Sequence, residues 1–321
     1  MEFSPVLHAF ARRVALVLLV AFGAASAAHG QGAGLPSRQN RLQRLTMDDG
    51  LPQSTVLALT QDRDGFMWLG TEDGLARYDG YALTPYRADP LDSTALPSGR
   101  ITRLAGSYDG ALWVGTNGGL VRLDPATGLV RRFQHRPGDS TTLAQSPVLS
   151  LLEDRGGTVF VGFAEGLSRL DPLTGRATNY PADFRDTATL TCPISLYQSV
   201  DGGLWAGTWN GVARVDRRTG ALQRYLQRSG GYDCDRSVGA AAIALVEDPA
   251  ARGVLWIATD SGLVRLDTRT GASRRWLPAP GRATGSPEGG ANELRDLAWD
   301  PAEAGVLWVG TSGGLFRFVV A

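Results

Sequence analysis

The chain has 321 residues, of which 43% are hydrophobic and 20% are charged, and its formal net charge is zero. This balance is that of a globular protein, and 41 glycines beside three methionines indicate many tight turns rather than disorder, collagen or a polytopic membrane protein. The sequence has no lysine, which excludes a Schiff base and a P-loop lysine, and its neutrality gives no electrostatic reason to expect nucleic-acid binding.

The first thirty residues have the pattern of an export signal. A basic region at residues 8–13 precedes an apolar core at residues 14–25, and small residues follow it. We predict a signal peptide over residues 1–30 that is cleaved before Gln31, with cleavage before Ala28 as the alternative. The apolar core is shorter than the roughly 20 residues that span a membrane, so the predicted location is the periplasm, without a membrane span after cleavage.

One sequence repeat fills the rest of the chain. Its first copy is Trp68-Leu69-Gly70-Thr71 followed by Gly74-Leu75-Ala76-Arg77-Tyr78-Asp79. Successive copies begin 45 to 52 residues apart, a period that is typical of four-stranded propeller blades. The lead aromatic residues of the six copies are Trp68, Trp113, Phe160, Trp205, Trp256 and Trp308.

The repeat resolves into short strands that are separated by Asp-Gly turns. In the first copy we predict strands a to d at residues 56–61, 66–71, 75–78 and 82–87. The sixth copy ends after its third strand, and residues 41–46 have the pattern of the missing strand d. The sequence therefore predicts an all-β fold in which residues 31–321 form a single β-propeller. A six-bladed ring closed by residues 41–46 is favoured, and an incomplete seven-bladed ring is the alternative.

Residues 51–56, 65–71 and 74–80 resemble the opening repeat of the two-component regulator propeller family, and the similarity extends over residues 42–318. The resemblance implies the extracytoplasmic sensory region of hybrid histidine kinases and related receptors. The output domains of that family have no counterpart in this sequence. We therefore expect a sensory or ligand-binding propeller without an output domain of its own, together with a signalling partner encoded nearby.

Repetition separates structural residues from functional ones. Six arginines share one repeat position, so we assign them to ion pairs with carboxylates near the turn between strands a and b, such as Asp62 or Asp154. Paired carboxylates for glycoside hydrolysis are not apparent, and His135 is expected to be a loop residue. We predict that the chain is not an enzyme and holds no metal or cofactor. The six arginines are Arg77, Arg122, Arg169, Arg214, Arg265 and Arg317.

The turns between strands b and c vary where the framework is constant, and variable loops on a rigid scaffold are common binding sites. We predict that they share a face with the connections from strand d to the next strand a, and that they contact a small molecule or an oligosaccharide. A propeller that docks protein partners is the alternative, and a propeller lyase or hydrolase is less favoured. The candidate ligand-binding residues are Asn117, Phe163, Glu165, Trp209 and Asn210.

The chain has two cysteines, Cys192 and Cys234, in the connections that lead into the fourth and fifth copies. An exported protein experiences an oxidising compartment, where disulfides form and persist. We therefore name this pair as a disulfide candidate, provided that the two Cα atoms come within about 7 Å.

Overall fold

A computed structural model describes residues 44–182, 190, 192–226, 240–276 and 294–320. Its described residues form 23 β-strands and one short 3-10 helix, Met47–Asp49. The strands are β1 (Val56–Gln61), β2 (Met67–Thr71), β3 (Gly74–Tyr78), β4 (Leu83–Tyr86), β5 (Ile101–Gly106), β6 (Leu112–Thr116), β7 (Gly119–Leu123), β8 (Val130–Phe133), β9 (Ser150–Glu153), β10 (Val159–Phe163), β11 (Gly166–Leu170), β12 (Ala177–Pro181), β13 (Pro193–Gln198), β14 (Leu204–Thr208), β15 (Asn210–Val215), β16 (Leu222–Tyr225), β17 (Ala240–Glu247), β18 (Val254–Thr259), β19 (Gly262–Asp267), β20 (Ser273–Trp276), β21 (Leu294–Trp299), β22 (Val306–Thr311) and β23 (Gly314–Val319).

The strands form six antiparallel blades in chain order. Blades 1 to 5 have four strands each, β1–β4, β5–β8, β9–β12, β13–β16 and β17–β20, and blade 6 has β21–β23. A short parallel pairing, in which Gly211 faces Ala241, joins the sheets of blades 4 and 5. The predicted β-propeller class is confirmed, and the predicted strands of the first copy differ from the observed ones by no more than one residue at each end.

The turns between strands follow the predicted chemistry. In the turn between strands b and c of blade 1, Gly74 has a φ of +139°, and the Thr71 hydroxyl donates a hydrogen bond of 2.8 Å to its carbonyl. In the next turn the Asp79 carboxylate accepts the backbone N–H groups of Tyr81 and Ala82, each at 2.8 Å. Short polar side chains thus satisfy turn backbone that no strand can pair.

The core lies between the blades rather than within them. The Trp68 side chain of blade 1 is fully buried against Ile101, Leu112 and Val121 of blade 2, and four further interfaces repeat this arrangement along the chain. A single sheet cannot bury its own faces, so each blade depends on its neighbours for stability. The strand b aromatic residues therefore fill the space between blades, as the sequence predicts.

The predicted closure by residues 41–46 is not visible as a strand. Residues 41–43 lie outside the described residues, and Arg44, Leu45 and Thr46 belong to no strand. The Leu45 side chain packs beside the cluster that Leu69 and Leu83 form on the face of blade 1 opposite to blade 2. In the described part of the chain, β23 has a single neighbouring strand, so the closure stays a prediction.

Candidate functional site

One face of the array carries both the turns between strands b and c and the connections between blades. In blade 1 the Gly74 N–H donates to the Gly99 carbonyl at 2.8 Å, and in blade 2 the Asn117 N–H donates to the Arg100 carbonyl at 3.2 Å. Each of these bonds joins such a turn to the connection that leads into a strand a. We call this side the turn face, and it is the face on which the sequence predicts binding.

The innermost strand of most blades carries a bulge close to the turn face. In β5 the pairing register shifts between Ile101 and Arg103, and β1, β13, β17 and β21 shift at the corresponding place. A bulge re-aims the side chains beside it, and bulges are common next to functional sites. The inner strands of successive blades contact one another, as expected at the centre of a propeller, and we call the part of this centre next to the bulges the channel mouth.

Arg103 lies across this channel mouth. Its guanidinium donates hydrogen bonds to the Thr102 carbonyl of blade 2 at 2.7 Å and to the Ile194 carbonyl of blade 4 at 3.3 Å. No described carboxylate forms an ion pair with it. The Arg103 side chain keeps contact with solvent, yet the surrounding protein lowers its pKa by burial. The channel mouth therefore holds a positive charge that is only partly hydrated and is not balanced by a described partner.

Two further polar groups lie on the same bulged strands. The Thr102 hydroxyl oxygen, next to Arg103, is buried and has no hydrogen-bond partner among the described residues. Asp296 in β21 occupies the repeat position that corresponds to Arg103, since both residues follow the bulge. Burial raises the pKa of Asp296, although its side chain also keeps contact with solvent. Arg103 and Asp296 therefore present a cation and an acidic group at equivalent, solvent-exposed positions of blades 2 and 6, whereas the Thr102 hydroxyl is buried.

One predicted ligand contact belongs to the core. The Phe163 side chain is fully buried between blades 2 and 3, where it packs with Trp113, Leu143 and Leu170. The prediction that Phe163 contacts a ligand is therefore wrong for this structure, because no part of the ring reaches the turn face. It stands in strand b just before the turn, in the position that Thr71 fills in blade 1.

The other candidates lie at the turns of the turn face. The Asn117 side chain is exposed and makes no hydrogen bond with a described residue, and the half-buried Trp209 likewise has no hydrogen-bond partner among them. Glu165 is exposed but accepts a hydrogen bond from the amide of Gln145. The backbone of Asn210 begins β15, while its side chain lies outside the described residues. Their role as ligand contacts stays a prediction.

Three of the six repeated arginines form the ion pairs that the sequence predicts, whereas no such pair is seen for Arg77, Arg169 or Arg265 among the described residues. Arg122 pairs with Asp109, Arg214 pairs with Asp201 at 3.0 Å, and Arg317 pairs with Glu303. Each carboxylate lies in the turn between strands a and b, on the side opposite the turn face. The partners named from sequence have other bonds: Asp62 accepts the indole N–H of Trp68 at 2.8 Å, and Asp154 pairs with Arg217 at 2.6 Å.

His135 is a loop residue, as expected. It is exposed, and its Nδ1 lies 2.9 Å from the Leu143 carbonyl in the same connection. Cys192 is buried, has a φ of +45°, and carries no free thiol. Cys234 lies outside the described residues, so the pairing of Cys192 with Cys234 stays a prediction.

Sequence reasoning missed Arg103, Thr102 and Asp296. The equivalent positions of Arg103 in blades 1 and 4 are the small residues Ala58 and Ser195. The charged residues of blades 2 and 6, at a position where blades 1 and 4 have small ones, are the signal that could have revealed the site. A separate groove of about 500 Å³ lies between blades 4 and 5 on the opposite side, lined by residues that include Arg214, Trp205, Tyr225, Arg252 and Arg269.

Fold and site together define a repeat-built β-propeller with a polar, solvent-accessible channel mouth. Two of its repeats, residues 50–73 and 95–118, match the family model described as two component regulator propeller. The chain therefore carries the repeats of this family, and the resemblance predicted from its sequence is confirmed. In the described residues, no helix has the length and apolar character needed to cross a membrane.

A curated relative and two solved structures are similar to this chain. A stretch of 48 residues is 48% identical to Histidine kinase P4 of Formosa agariphila and covers 15% of this chain and 4% of the relative. The extracellular domain of the hybrid two component system BT3049 from B. thetaiotaomicron superposes with a TM-score of 0.67 at 20% identity, covering 86% of this chain and 35% of that one. Virginiamycin B lyase from Staphylococcus aureus superposes with a TM-score of 0.54 at 13% identity, covering 83% of this chain and 95% of that one.

The curated relative and the two solved structures support limited conclusions about this chain. The chain spans 4% of the curated relative and about a third of the first solved structure, so the activities of those whole proteins do not transfer to it directly. Both structural likenesses lie below 25% identity and show the fold alone. The shared propeller hosts sensory domains and a lyase, which is why function has to be argued from the site.

Proposed function

We propose that this chain is an extracytoplasmic ligand-binding propeller of the sensory kind, and that its ligand binds at the channel mouth of the turn face. The family match and the extracellular domain of BT3049 support the sensory role and the location. The N-terminal export pattern supports the same location. A signalling partner encoded nearby would then supply the output, as in the receptors to which similar propellers belong.

The observation that carries this proposal is the uncompensated charge of Arg103. An arginine that bonds only to backbone carbonyls keeps further donors for a planar anionic group, and charge-assisted hydrogen bonds are the strong ones. A small acidic ligand, such as an oligosaccharide with a carboxylate or sulfate group, fits this guanidinium better than a neutral one.

The aromatic and amide groups of the turn face complete the proposed site. Trp209 offers a flat surface for a sugar ring, and Asn117 offers an amide without a described partner. Glu165 contributes through its contact with Gln145, and Asn210 follows Trp209 at the start of β15. A protein-docking function would instead be indicated by tight binding of a partner that survives the loss of Arg103.

A thermal-shift screen of residues 31–321 tests the proposal. The probes are trigalacturonate, a sulfated disaccharide of chondroitin, and neutral maltotriose as the uncharged control. We expect acidic probes to raise the melting temperature and Arg103→Gln to weaken their binding about tenfold or more, since a charged hydrogen bond contributes roughly 1.5–3 kcal/mol. Arg122→Gln is the matched control, because Arg122 lies in the same blade and pairs with Asp109 on the other side. Unchanged binding by folded Arg103→Gln would show that the site is wrong.

A further inference from the structure

On the side opposite the turn face, arginines of the chain fill several grooves between neighbouring blades. Arg131 of blade 2 lies over the Phe133 ring, 4.9 Å from its centroid, and donates a hydrogen bond of 2.6 Å to the Pro172 carbonyl of blade 3. Arg274 of blade 5 lies over the Trp276 ring in the same way, at 4.8 Å. In both blades a planar cation thus stacks on the aromatic residue of strand d.

The groove between blades 3 and 4 is filled from its other wall. Arg217, which follows strand c of blade 4, lies 5.6 Å from the centroid of the Phe160 ring and pairs with Asp154 at 2.6 Å. Phe160 has no N–H group to donate to this carboxylate, whereas Trp68 donates one to Asp62 in blade 1. A guanidinium from the next blade therefore takes the place of the indole N–H.

The groove between blades 4 and 5 has neither kind of arginine. Gln223 occupies the strand d position that Arg131 and Arg274 have in their blades. Thr268 occupies the turn position of Arg217, and its hydroxyl donates to a backbone carbonyl of its own blade at 2.8 Å. The shorter side chains leave open the groove of about 500 Å³ described above.

The carboxylates that line this groove already accept hydrogen bonds from the protein. The Glu247 carboxylate is buried and accepts the backbone N–H groups of Val200 and Gly253. The exposed Asp201 carboxylate pairs with Arg214 at 3.0 Å. The groove is therefore poorly suited to a cationic ligand, which would need these same oxygen atoms.

Hydrogen-bond donors remain available in the same groove. Arg252 is exposed, and its guanidinium forms no ion pair or hydrogen bond with a described residue. The exposed amide of Gln223 likewise has no partner in the part of the chain that the structure describes. The Tyr225 ring is equivalent to Phe133 and Trp276, but no described cation stacks on it. An unused ring and unused donors thus line one groove.

We propose that this groove is a second ligand site, and that it binds a small aromatic carboxylate. The ring of the ligand stacks on Tyr225, as a guanidinium does on the equivalent rings, and its carboxylate accepts hydrogen bonds from Arg252 and Gln223. The volume of the groove lies within the range of about 300–1,000 Å³ that is usual for small-molecule sites. This site shares no residue with the channel mouth around Arg103.

Isothermal titration of the full mature chain tests the proposal. The probe is p-coumarate, and two control compounds each lack one of its features. In p-coumaryl alcohol the same ring carries no carboxylate, and cyclohexylpropionate is a carboxylate without an aromatic ring. We expect p-coumarate to bind at least tenfold more tightly than either control, because charge-assisted hydrogen bonds and ring stacking both contribute to its affinity.

Two substitutions test whether the probe binds in this groove. Arg252→Gln removes the guanidinium and should weaken p-coumarate binding about tenfold or more. Gln223→Arg supplies the side chain that fills other grooves and should abolish binding in a folded chain, since blade 2 already places Arg122 opposite Arg131. Arg63→Gln is the matched control, because Arg63 is exposed in the corresponding turn of blade 1 and lines a separate groove. It should bind p-coumarate as the parent does.

Four outcomes would overturn the proposal. The first is the absence of p-coumarate binding, and the second is an equal affinity for either control compound. The third is unchanged binding by folded Arg252→Gln or folded Gln223→Arg, which would show that the probe binds elsewhere. The fourth is an equal loss in Arg63→Gln, which would indicate general attraction to exposed arginines. None of these outcomes bears on ligand binding by Arg103, which is tested with other probes.

Discussion

The indole N–H of Trp256 donates a hydrogen bond of 3.1 Å to the carboxylate of Asp248, and both side chains are buried. Asp248 directly follows the inner strand of blade 5 and also accepts the backbone N–H of Ala250 at 2.9 Å. In blade 6 the corresponding pair is Trp308 and Asp300, at 2.9 Å. One bond thus fixes the tryptophan that fills the interface and the turn that follows the inner strand.

We expect Trp256→Phe to destabilise the protein by about 1–3 kcal/mol in addition to the lost packing, because it leaves a buried carboxylate oxygen without its donor. Trp308→Phe is the matched control, since Trp308 is half-buried and water can replace the indole at Asp300. Urea denaturation of both variants measures the difference. Equal losses would contradict the assigned role of burial.

The glycines of strand b give a second comparison. Gly207→Ala places a Cβ atom 2.3 Å from the Ala242 carbonyl oxygen, a backbone atom that cannot rotate away, so we expect a loss of about 1–3 kcal/mol. Gly310→Ala meets no such contact and should change stability by less than about 0.5 kcal/mol. Thermal unfolding of the two variants tests this, and a large loss for Gly310→Ala would indicate that another blade already covers it.

Asp296 predicts a pH dependence. Burial raises its pKa above the ordinary value of 3.8, so between these two values the folded protein binds more protons than the unfolded chain. The contribution of Asp296 to stability is therefore fully present below pH 3.8 and is lost as the pH rises through the folded pKa. We expect Asp296→Asn to gain stability relative to the parent as pH rises from about 4 to 7. A constant difference across this range would contradict the raised pKa.

The cysteines predict an oxidised pair. If Cys192 and Cys234 are joined, the exported protein unfolded without reductant should not react with iodoacetamide, and reductant should release two reactive thiols. Mass spectrometry of the alkylated chain counts them. Complete alkylation of both cysteines before reduction would show that the disulfide is absent.

The export pattern predicts a mature N-terminus at Gln31. Intact-mass measurement of protein recovered from the periplasm should show the loss of residues 1–30, with loss of residues 1–27 as the alternative. Replacing residues 14–25 with a polar segment should retain the full-length chain in the cytoplasm. A membrane-bound chain that keeps residues 1–30 would contradict cleavage.

Much of the fold could be predicted because local chemistry repeats with the blade. The Asp79-Gly80 turn and the alternation around Trp68 identify strands within one residue of their observed ends. The composition of the turn face was also predictable, since turn order alone places Asn117 and Glu165 on it. The surroundings of each candidate side chain were harder to predict. Phe163 lies next to a turn, and only tertiary packing shows that its ring points into the interface between blades 2 and 3.

Arg103 was hidden for a different reason. A β-bulge determines where the Arg103 side chain points, and no local sequence pattern around Ile101 and Arg103 indicates the shift in pairing register. Its contact with Ile194 joins residues 91 positions apart. Such a contact depends on how the blades are arranged around the centre, and the repeat period does not specify that arrangement.

Each blade buries its faces only against the blades beside it, and this has a kinetic consequence. Blades 3 and 4 are covered on both sides, while among the described residues blades 1 and 6 each pack against a single neighbouring blade. Local unfolding should therefore begin at blades 1 and 6 and then spread to the blades between them. Proteases would meet the segments around Val56 and Val319 first, and whatever covers those two faces would govern the lifetime of the whole array.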